Sequence, residues 1–361
     1  MKTIFVVDDN DTNILAAKTA LDGTYKVFAL QSAARMFKLA EKITPDLILL
    51  DIEMPEMDGF EAMQMLKSDE KLQSIPVVFL TLKNDAETEV RGFEMGALDF
   101  ITKHFIPAVL LSRIKVFLHM DEVIKKRTAK IEELKNGIIT VMANVVESRD
   151  ETTGGHIERT STYLKIMLDA MMTQGVYASE IKNWNMNTVT FSARLHDVGK
   201  IRITDLILNK PGKLTPEEFE KMQTHCSEGE RIISEMVAQT GEGPFLHHAK
   251  LFAGYHHEKW NGKGYPYGLR GEEIPLQGRI MAIADVYDAL VSKRPYKKAF
   301  THEQAVEIIK NDSGTHFDPQ IVEVFVDVAD DFAAVYVSKS LKKIENAIEE
   351  SRQQNPPGYV V

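Results

Sequence analysis

Histidine and aspartate stand side by side in Ala193-Arg194-Leu195-His196-Asp197-Val198-Gly199-Lys200, an imidazole and a carboxylate inside an apolar stretch. One such pair serves equally well as a core histidine with its acceptor, because metal ligands are recognised by their number. The number is found in the same half of the chain. His156 lies upstream and His225, His256, His257 and Asp285 lie downstream, which with His196 and Asp197 makes five imidazoles and two carboxylates. Mixed nitrogen and oxygen donors suit transition metals. His196 and Lys200 are four apart, so on a helix they share a face, and a metal-bound phosphate would meet the ammonium.

A second polar set terminates apolar runs. The run 4–7 ends in Asp8-Asp9, 46–50 ends in Asp51, 75–80 in Thr81 and 99–102 in Lys103. Three carboxylates at one edge repel each other unless a cation sits among them, and hard oxygen ligands favour Mg²⁺. Any one of these acids taken alone is explained as a helix N-cap. All of them ending core strands is not.

These residues require elements to position them. Runs apolar along their whole length are strands buried on both faces of a parallel sheet. Between them, 12–21, 32–41, 59–67 and 86–95 have helical spacing, so residues 1–120 are expected to form a doubly wound α/β domain of five strands. From Pro107 onward Phe117, Ile124, Ile131, Ile138 and Val145 recur every seven residues. Met120, Leu134 and Val141 fall three later, with Arg127 as a polar break. That pattern predicts a helical connector over 107–145, either a parallel two-chain coiled coil or an amphipathic helix packed on its own chain. Residues 138–345 read as an all-α bundle with helices over 156–172, 189–199, 228–237, 245–255 and 278–290. The stretch 346–361 is expected to be a flexible tail.

Composition narrows the field. A chain of 361 residues, 44% hydrophobic and 27% charged, reads as a multidomain globular protein. No apolar run is long enough to span a membrane and no secretory signal is present, so the expected compartment is the cytoplasm. The single cysteine, Cys226, excludes an internal disulfide. A net charge of -10 without a basic stripe argues against a DNA-binding domain.

The first 120 residues resemble response-regulator receiver domains. The resemblance implies that Asp51 accepts a phosphoryl group from a histidine kinase, and that Asp8, Asp9, Asp51 and the Glu53 carbonyl hold Mg²⁺. It further implies that Thr81 and Lys103 contact the phosphoryl oxygens and that Phe100 is the switch aromatic. Receivers usually carry proline after this lysine, often joined by a cis bond. Here the pair is Lys103-His104, and a non-proline cis bond costs about 2.5 to 4 kcal/mol, which predicts a trans peptide.

The motif His256-His257-Glu258-Lys259-Trp260-Asn261-Gly262-Lys263-Gly264-Tyr265-Pro266, with the ligands above, resembles the HD-GYP branch of the HD phosphohydrolases. The resemblance implies one metal on His156, His196, Asp197 and Asp285 and a second on Asp197, His225, His256 and His257, with Asp197 bridging. It implies Fe or Mn, a shared hydroxide as nucleophile and Lys200 assisting the leaving group. Tyr265, Asp288, Arg294 and Lys297 would contact cyclic di-GMP, opened to pGpG and on to GMP. A third metal in some members uses a glutamate where this chain has Thr152, with Glu151 beside it. Two metals are therefore expected. The same pocket could instead bind without turnover or cut another cyclic dinucleotide.

Overall fold

Val, Ile, Leu and Phe fill the runs that become β1 (Thr3–Val7), β3 (Leu47–Asp51) and β4 (Val77–Thr81). With β2 (Lys26–Leu30) and β5 (Asp99–Thr102) they form a parallel sheet in the order β2-β1-β3-β4-β5. This arrangement is seen in a computed structural model that describes residues 1–82, 86–149, 155–293 and 298–354, with side chains as far as Ser338. The chain divides into two compact units, Met1–Glu132 and Glu133–Val361.

In the first unit, alternate residues of β1 enter different cores. Phe5 and Val7 pack with α2 (Ala33–Ala40) and α3 (Gly59–Ser68), whereas Ile4 and Val6 pack with α1 (Asp11–Leu21) and the start of α5 (Pro107–Arg149). Period-two alternation between two apolar layers is what a sheet covered on both faces requires. Helix α4 is Ala86–Glu94. Local chemistry sets the helix starts: Asn10 accepts from Thr12 N, and Asp58 and Glu61 form a reciprocal capping box. Because every strand runs the same way, Asp8, Asp51, Thr81 and Lys103 reach one edge of the sheet. Among the described residues the cis peptide is Tyr265–Pro266, so Lys103–His104 is trans as expected.

Along α5, Met120, Ile124, Ile131, Leu134, Ile138, Val141 and Val145 are exposed among the described residues, whereas Phe117, the first of the heptad row, packs into the first unit. Leu110 and Ile114 also bury into the first unit, and Ala143 and Val146 are buried in the second.

The second unit is helical: α6 (His156–Gln174), α7 (Ala178–Ile181), α8 (Met186–Ser192), α9 (Asp205–Leu208), α10 (Pro216–Thr240), α11 (Pro244–Tyr255), α12 (Leu276–Val291), α13 (His302–Asn311) and α14 (Pro319–Gln354). Its core joins Tyr163 and Met167 of α6, Ile280, Ile283 and Tyr287 of α12, and Phe325 and Phe332 of α14. The Tyr163 and Phe332 rings stack with centroids 4.4 Å apart. Burying each such side chain is worth about 1.5–3 kcal/mol.

Two expectations about local structure are corrected. The expected helix over 189–199 ends at Ser192 and continues as two 3-10 turns, Ala193–Leu195 and Val198–Arg202. The Ser192 hydroxyl donates back to the Val189 carbonyl, and Asp197 takes φ −99°, ψ 10°, outside helical values. His196 and Lys200 therefore do not share an α-helical face. Residue 228 is not a helix start, because the Thr215/Glu218 capping box begins α10 earlier and puts His225 in mid-helix. Helix α14 runs to Gln354, into the stretch expected to be tail. Among the described residues no helix is long and apolar enough to cross a membrane.

Candidate metal centre

Four of the histidines are aimed by the oxygen each meets at Nδ1. His196 Nδ1 lies 2.9 Å from the Ala193 carbonyl, His225 Nδ1 2.8 Å from that of Met222, and His256 Nδ1 2.8 Å from that of Phe252. His156 Nδ1 lies 2.8 Å from Asp288 Oδ2. An oxygen at Nδ1 places the hydrogen there and leaves Nε2 as the lone pair.

These lone pairs face each other. The Nε2 atoms of His156 and His196 are 3.3 Å apart, as are those of His225 and His256. Two acceptors so placed suit a cation between them. Ligands of one ion at bond lengths of about 2.0–2.1 Å lie about 3.0–3.4 Å apart, so the spacing fits. The third member of the first group is Asp285, whose Oδ1 is 3.3 Å from His156 Nε2. His257 completes the second group.

Asp197 stands between the groups. Its Oδ2 is 3.3 Å from His196 Nε2, while Oδ1 is 3.5 Å from His225 Nε2 and 3.7 Å from His256 Nε2. One oxygen thus faces each group. The Lys200 ammonium, 2.8 Å from Asp197 Oδ2, holds this carboxylate well below the usual range together with His196, overcoming the opposing effect of burial.

The protonation states of three imidazoles favour ligation. Burial and neighbouring imidazoles push His256 down to about 3 and His257 well below its usual value, and burial also lowers His225. All three are neutral at pH 7 with nitrogen lone pairs to offer. For His156, burial is outweighed by Asp288, Asp285 and Asp197, which raise it and make it a more basic donor. Cys226 is buried with Sγ 3.5 Å from His225 Nε2, and burial pushes its thiol up, away from thiolate chemistry.

Tyr265 stacks on His257 with centroids 4.8 Å apart. Its loop is pinned by Glu258, whose buried carboxylate accepts from the backbone N–H groups of Tyr267 at 2.7 Å, Gly268 at 3.1 Å and Leu269 at 3.0 Å. A Cβ on Gly264 would fall 2.3 Å from Lys259 N, so this glycine lets the loop press against its own start.

At the sheet edge of the first unit, Asp8, Asp9 and Asp51 bring oxygens within 4.8 Å of one another. Lys103 Nζ lies 2.6 Å from Asp51 Oδ2 and 3.2 Å from Asp8 Oδ2, and Glu53 N donates to Asp51 Oδ1 at 3.2 Å. Burial pushes the Asp51 carboxyl up to about 6 against the lowering pull of Lys103. Thr81 is buried at the end of β4, and its carbonyl accepts from Lys103 N at 2.8 Å. Phe100 is turned inward between Phe79 and Phe93, with centroids 5.3 and 5.1 Å away.

The family described as HD domain matches residues 140–321, and the response regulator receiver domain family matches residues 4–115. A Vibrio cholerae protein named probable cyclic di-GMP phosphodiesterase is 36% identical over 353 residues, covering 92% of this chain and 80% of the relative. The chain belongs to the HD-domain response regulators. Another such relative, the cyclic di-GMP phosphodiesterase response regulator RpfG of Xanthomonas campestris, is 34% identical over 295 residues, 78% of this chain and 75% of that one. The 3'3'-cGAMP-specific phosphodiesterase 2 of Vibrio cholerae is 39% identical over 208 residues, 58% of this chain and 37% of that one.

In this HD-domain response regulator one carboxylate expected at the substrate is engaged by the protein itself. Asp288 is buried beneath His156, with Arg159 Nε 2.6 Å from Oδ1 and Arg159 Nη2 2.8 Å from Oδ2. Its oxygens meet an imidazole and a guanidinium, an arrangement that orients His156. Arg159, Glu258 and Glu147, which accepts from His156 N at 2.7 Å, were not anticipated as site residues. For Arg159 a signal existed: it stands three residues after His156 on one helix face. Arg294 and Lys297, and the third-metal positions Glu151 and Thr152, lie outside the described residues.

Proposed function

We propose that the protein hydrolyses cyclic di-GMP to linear pGpG, with a second cut giving GMP, under control of phosphorylation at Asp51. The observation that carries the reading is Asp197, with one carboxylate oxygen on each of two imidazole groups. Two ions would be held, one by His156, His196, Asp197 and Asp285, the other by Asp197, His225, His256 and His257. The donor set suits Fe or Mn. When bound, such a pair lowers the pKa of water to about 7 and polarises a phosphodiester.

The chain's own groups do the rest. Asp197 and the buried imidazoles fix the donor frame before substrate arrives. One water adds across one P–O bond, and the departing ribose 3′-oxygen takes a proton. Lys200, protonated beside Asp197, is placed to neutralise charge growing on the phosphate and to supply that proton. Tyr265, stacked on His257, offers an aromatic face to a guanine.

For control, Asp51 would take the phosphoryl group from a histidine kinase, with Mg²⁺ on Asp8, Asp9, Asp51 and the Glu53 carbonyl, and Lys103 and Thr81 on the phosphoryl oxygens. Phe100 would change rotamer as Thr81 moves. The exposed heptad row of α5 supports a parallel homodimer. A second substrate, 3'3'-cGAMP, is favoured by the 39% identical relative of that specificity.

The test loads the full chain with Mn²⁺ or Fe²⁺, supplies cyclic di-GMP and 3'3'-cGAMP separately, and resolves the products beside an Asp197→Ala control. The expected result is pGpG from cyclic di-GMP and none from the control. Metal-replete protein that binds the dinucleotide uncut would make the pocket a binding module. Preferential cutting of 3'3'-cGAMP would transfer the assignment to that substrate.

A further inference from the structure

The 3-10 turn Val198–Arg202, which carries Lys200, is held from the end of a different helix. Arg149 closes α5, and its guanidinium reaches four acceptors, two in this turn and two just after it. Nη1 donates to the carbonyls of Ile201 at 3.0 Å and Lys200 at 3.3 Å. Nη2 donates to the Ile203 carbonyl at 2.9 Å and to Asp205 Oδ1 at 2.8 Å. The contact is returned, because Asn209 Nδ2 donates to the Arg149 carbonyl at 2.8 Å.

A short 3-10 turn leaves carbonyls that its own backbone cannot satisfy. Here the turn has Lys200 N on the Asp197 carbonyl at 3.0 Å and Ile203 N on the Lys200 carbonyl at 3.0 Å. A planar fork of N–H groups meets several carbonyls at once, which an ammonium of similar reach does not. The opposite side of the turn is also fixed. A Cβ on Gly199 would lie 1.9 Å from the His225 carbonyl, so the turn rests directly on the backbone of α10. Lys200 is thus carried by a segment clamped between Arg149 and a histidine-bearing helix. Two residues before Arg149, Glu147 accepts from His156 N, so the last turn of α5 touches the backbone at both His156 and Lys200.

We propose that Arg149 is a positioning residue for hydrolysis, fixing the turn so that the Lys200 ammonium stays on Asp197. The catalytic part rests on the phosphodiesterase reading above, whereas the clamp on the turn does not.

The experiment uses the full metal-loaded chain and the variants Arg149→Gln, Arg149→Lys, Lys200→Ala and the Arg149→Gln/Lys200→Ala pair. Backbone amide exchange in Arg149→Gln should accelerate about tenfold across 198–203, with α12 unchanged. For cyclic di-GMP, kcat should fall about 10–100-fold with KM within about threefold and bound metal per chain unchanged. Arg149→Lys should not restore kcat. In the Lys200→Ala background, Arg149→Gln should cost nothing further, because the two act through one group. Unchanged exchange over 198–203, or losses that multiply in the pair, overturns the proposal. Should the wild type leave cyclic di-GMP uncut, the phosphodiesterase reading fails and the exchange measurement alone decides the clamp. If Arg149→Gln does not fold, Asp205→Asn removes one partner of the guanidinium at an exposed rim. It should lower kcat about two- to fivefold and loosen the same amides, and no change in either overturns the proposal.

Discussion

The acidic edge of the receiver sheet and the imidazole groups of the helical unit both gather side chains that could hold a cation, yet they are built from different donors. At the sheet edge the donors are carboxylates, Asp9 is exposed, and Lys103 already supplies a positive charge to Asp8 and Asp51. In the helical unit the donors are mostly neutral nitrogens, buried, and aimed before any ion arrives. Hard oxygen donors with an internal counter-ion suit a weakly held Mg²⁺ that comes and goes with a phosphoryl group. Fixed imidazoles suit resident transition metals. What the two share is a lysine on a carboxylate, Lys103 on Asp51 and Lys200 on Asp197, and a glycine pressed on backbone next to it. A Cβ on Gly59 would lie 2.3 Å from the Asp51 carbonyl, as one on Gly199 would crowd His225.

The largest expected effect separates the two sites. Asp197→Ala or His225→Ala should reduce hydrolysis on the order of a thousandfold and lower the transition-metal content per chain. Asp51→Asn should leave that content intact, with elemental analysis of the purified chains as the measurement. A fall in transition metal on changing Asp51 would erase the distinction drawn here.

Next comes Gly199→Ala, which forces a methyl group into backbone and should destabilise the helical unit by about 3 kcal/mol or more in denaturant titration. An undisturbed midpoint would mean that the turn yields easily, contrary to its clamped geometry. Asp288→Asn keeps the shape but weakens the orientation of His156, and metal affinity should drop about 10–100-fold in competition with a chelator.

The pH response should differ in sign. Asp51 is raised from 3.8 to about 6, so between those values the folded receiver binds the proton more tightly than the unfolded chain. Its contribution to stability is therefore lost as pH rises through that window. His248, with Nδ1 bonded to Gln277, is lowered by burial from 6.5 to about 4, so its contribution is lost as pH falls from 6.5 to about 4. Each is worth on the order of 1–3 kcal/mol. In chelator, Asp51→Asn should raise the melting temperature of the receiver more at pH 7 than at pH 4. The same gain at both pH values would show that Asp51 ionises without strain.

Much of this was legible in the chain itself, for identifiable reasons. The strands β1, β3 and β4 carry unbroken runs of Val, Ile, Leu and Phe and the seven candidate ligands announce themselves by type, so both candidate sites could be named. Strand β2, Lys-Val-Phe-Ala-Leu, is a half-exposed edge whose mixed pattern gives no comparable signal. Asp285 and Asp288 sit one turn apart on α12, and spacing does not say that Asp285 stands with the His156 and His196 nitrogens while Asp288 meets His156 Nδ1. Arg159 meets Asp288 across 129 positions, and Arg149 meets the Lys200 turn across 51 to 54, distances over which periodicity carries no information. The 3-10 turns escaped because their residues fit a helix equally well. What bends them is contact with α10 and α5, which belongs to tertiary structure.

The carbonyls behind His196, His225 and His256 also bear on how the protein can diverge. Each belongs to residues three or four positions earlier in the chain, and no substitution at those positions removes a main-chain oxygen. Those imidazoles keep their aim through neutral drift. His156 leans on a side chain, so inherited changes at 288 and 159 can retune one half of the centre while the other stays as it was, giving a lineage a single dial for metal preference and turnover.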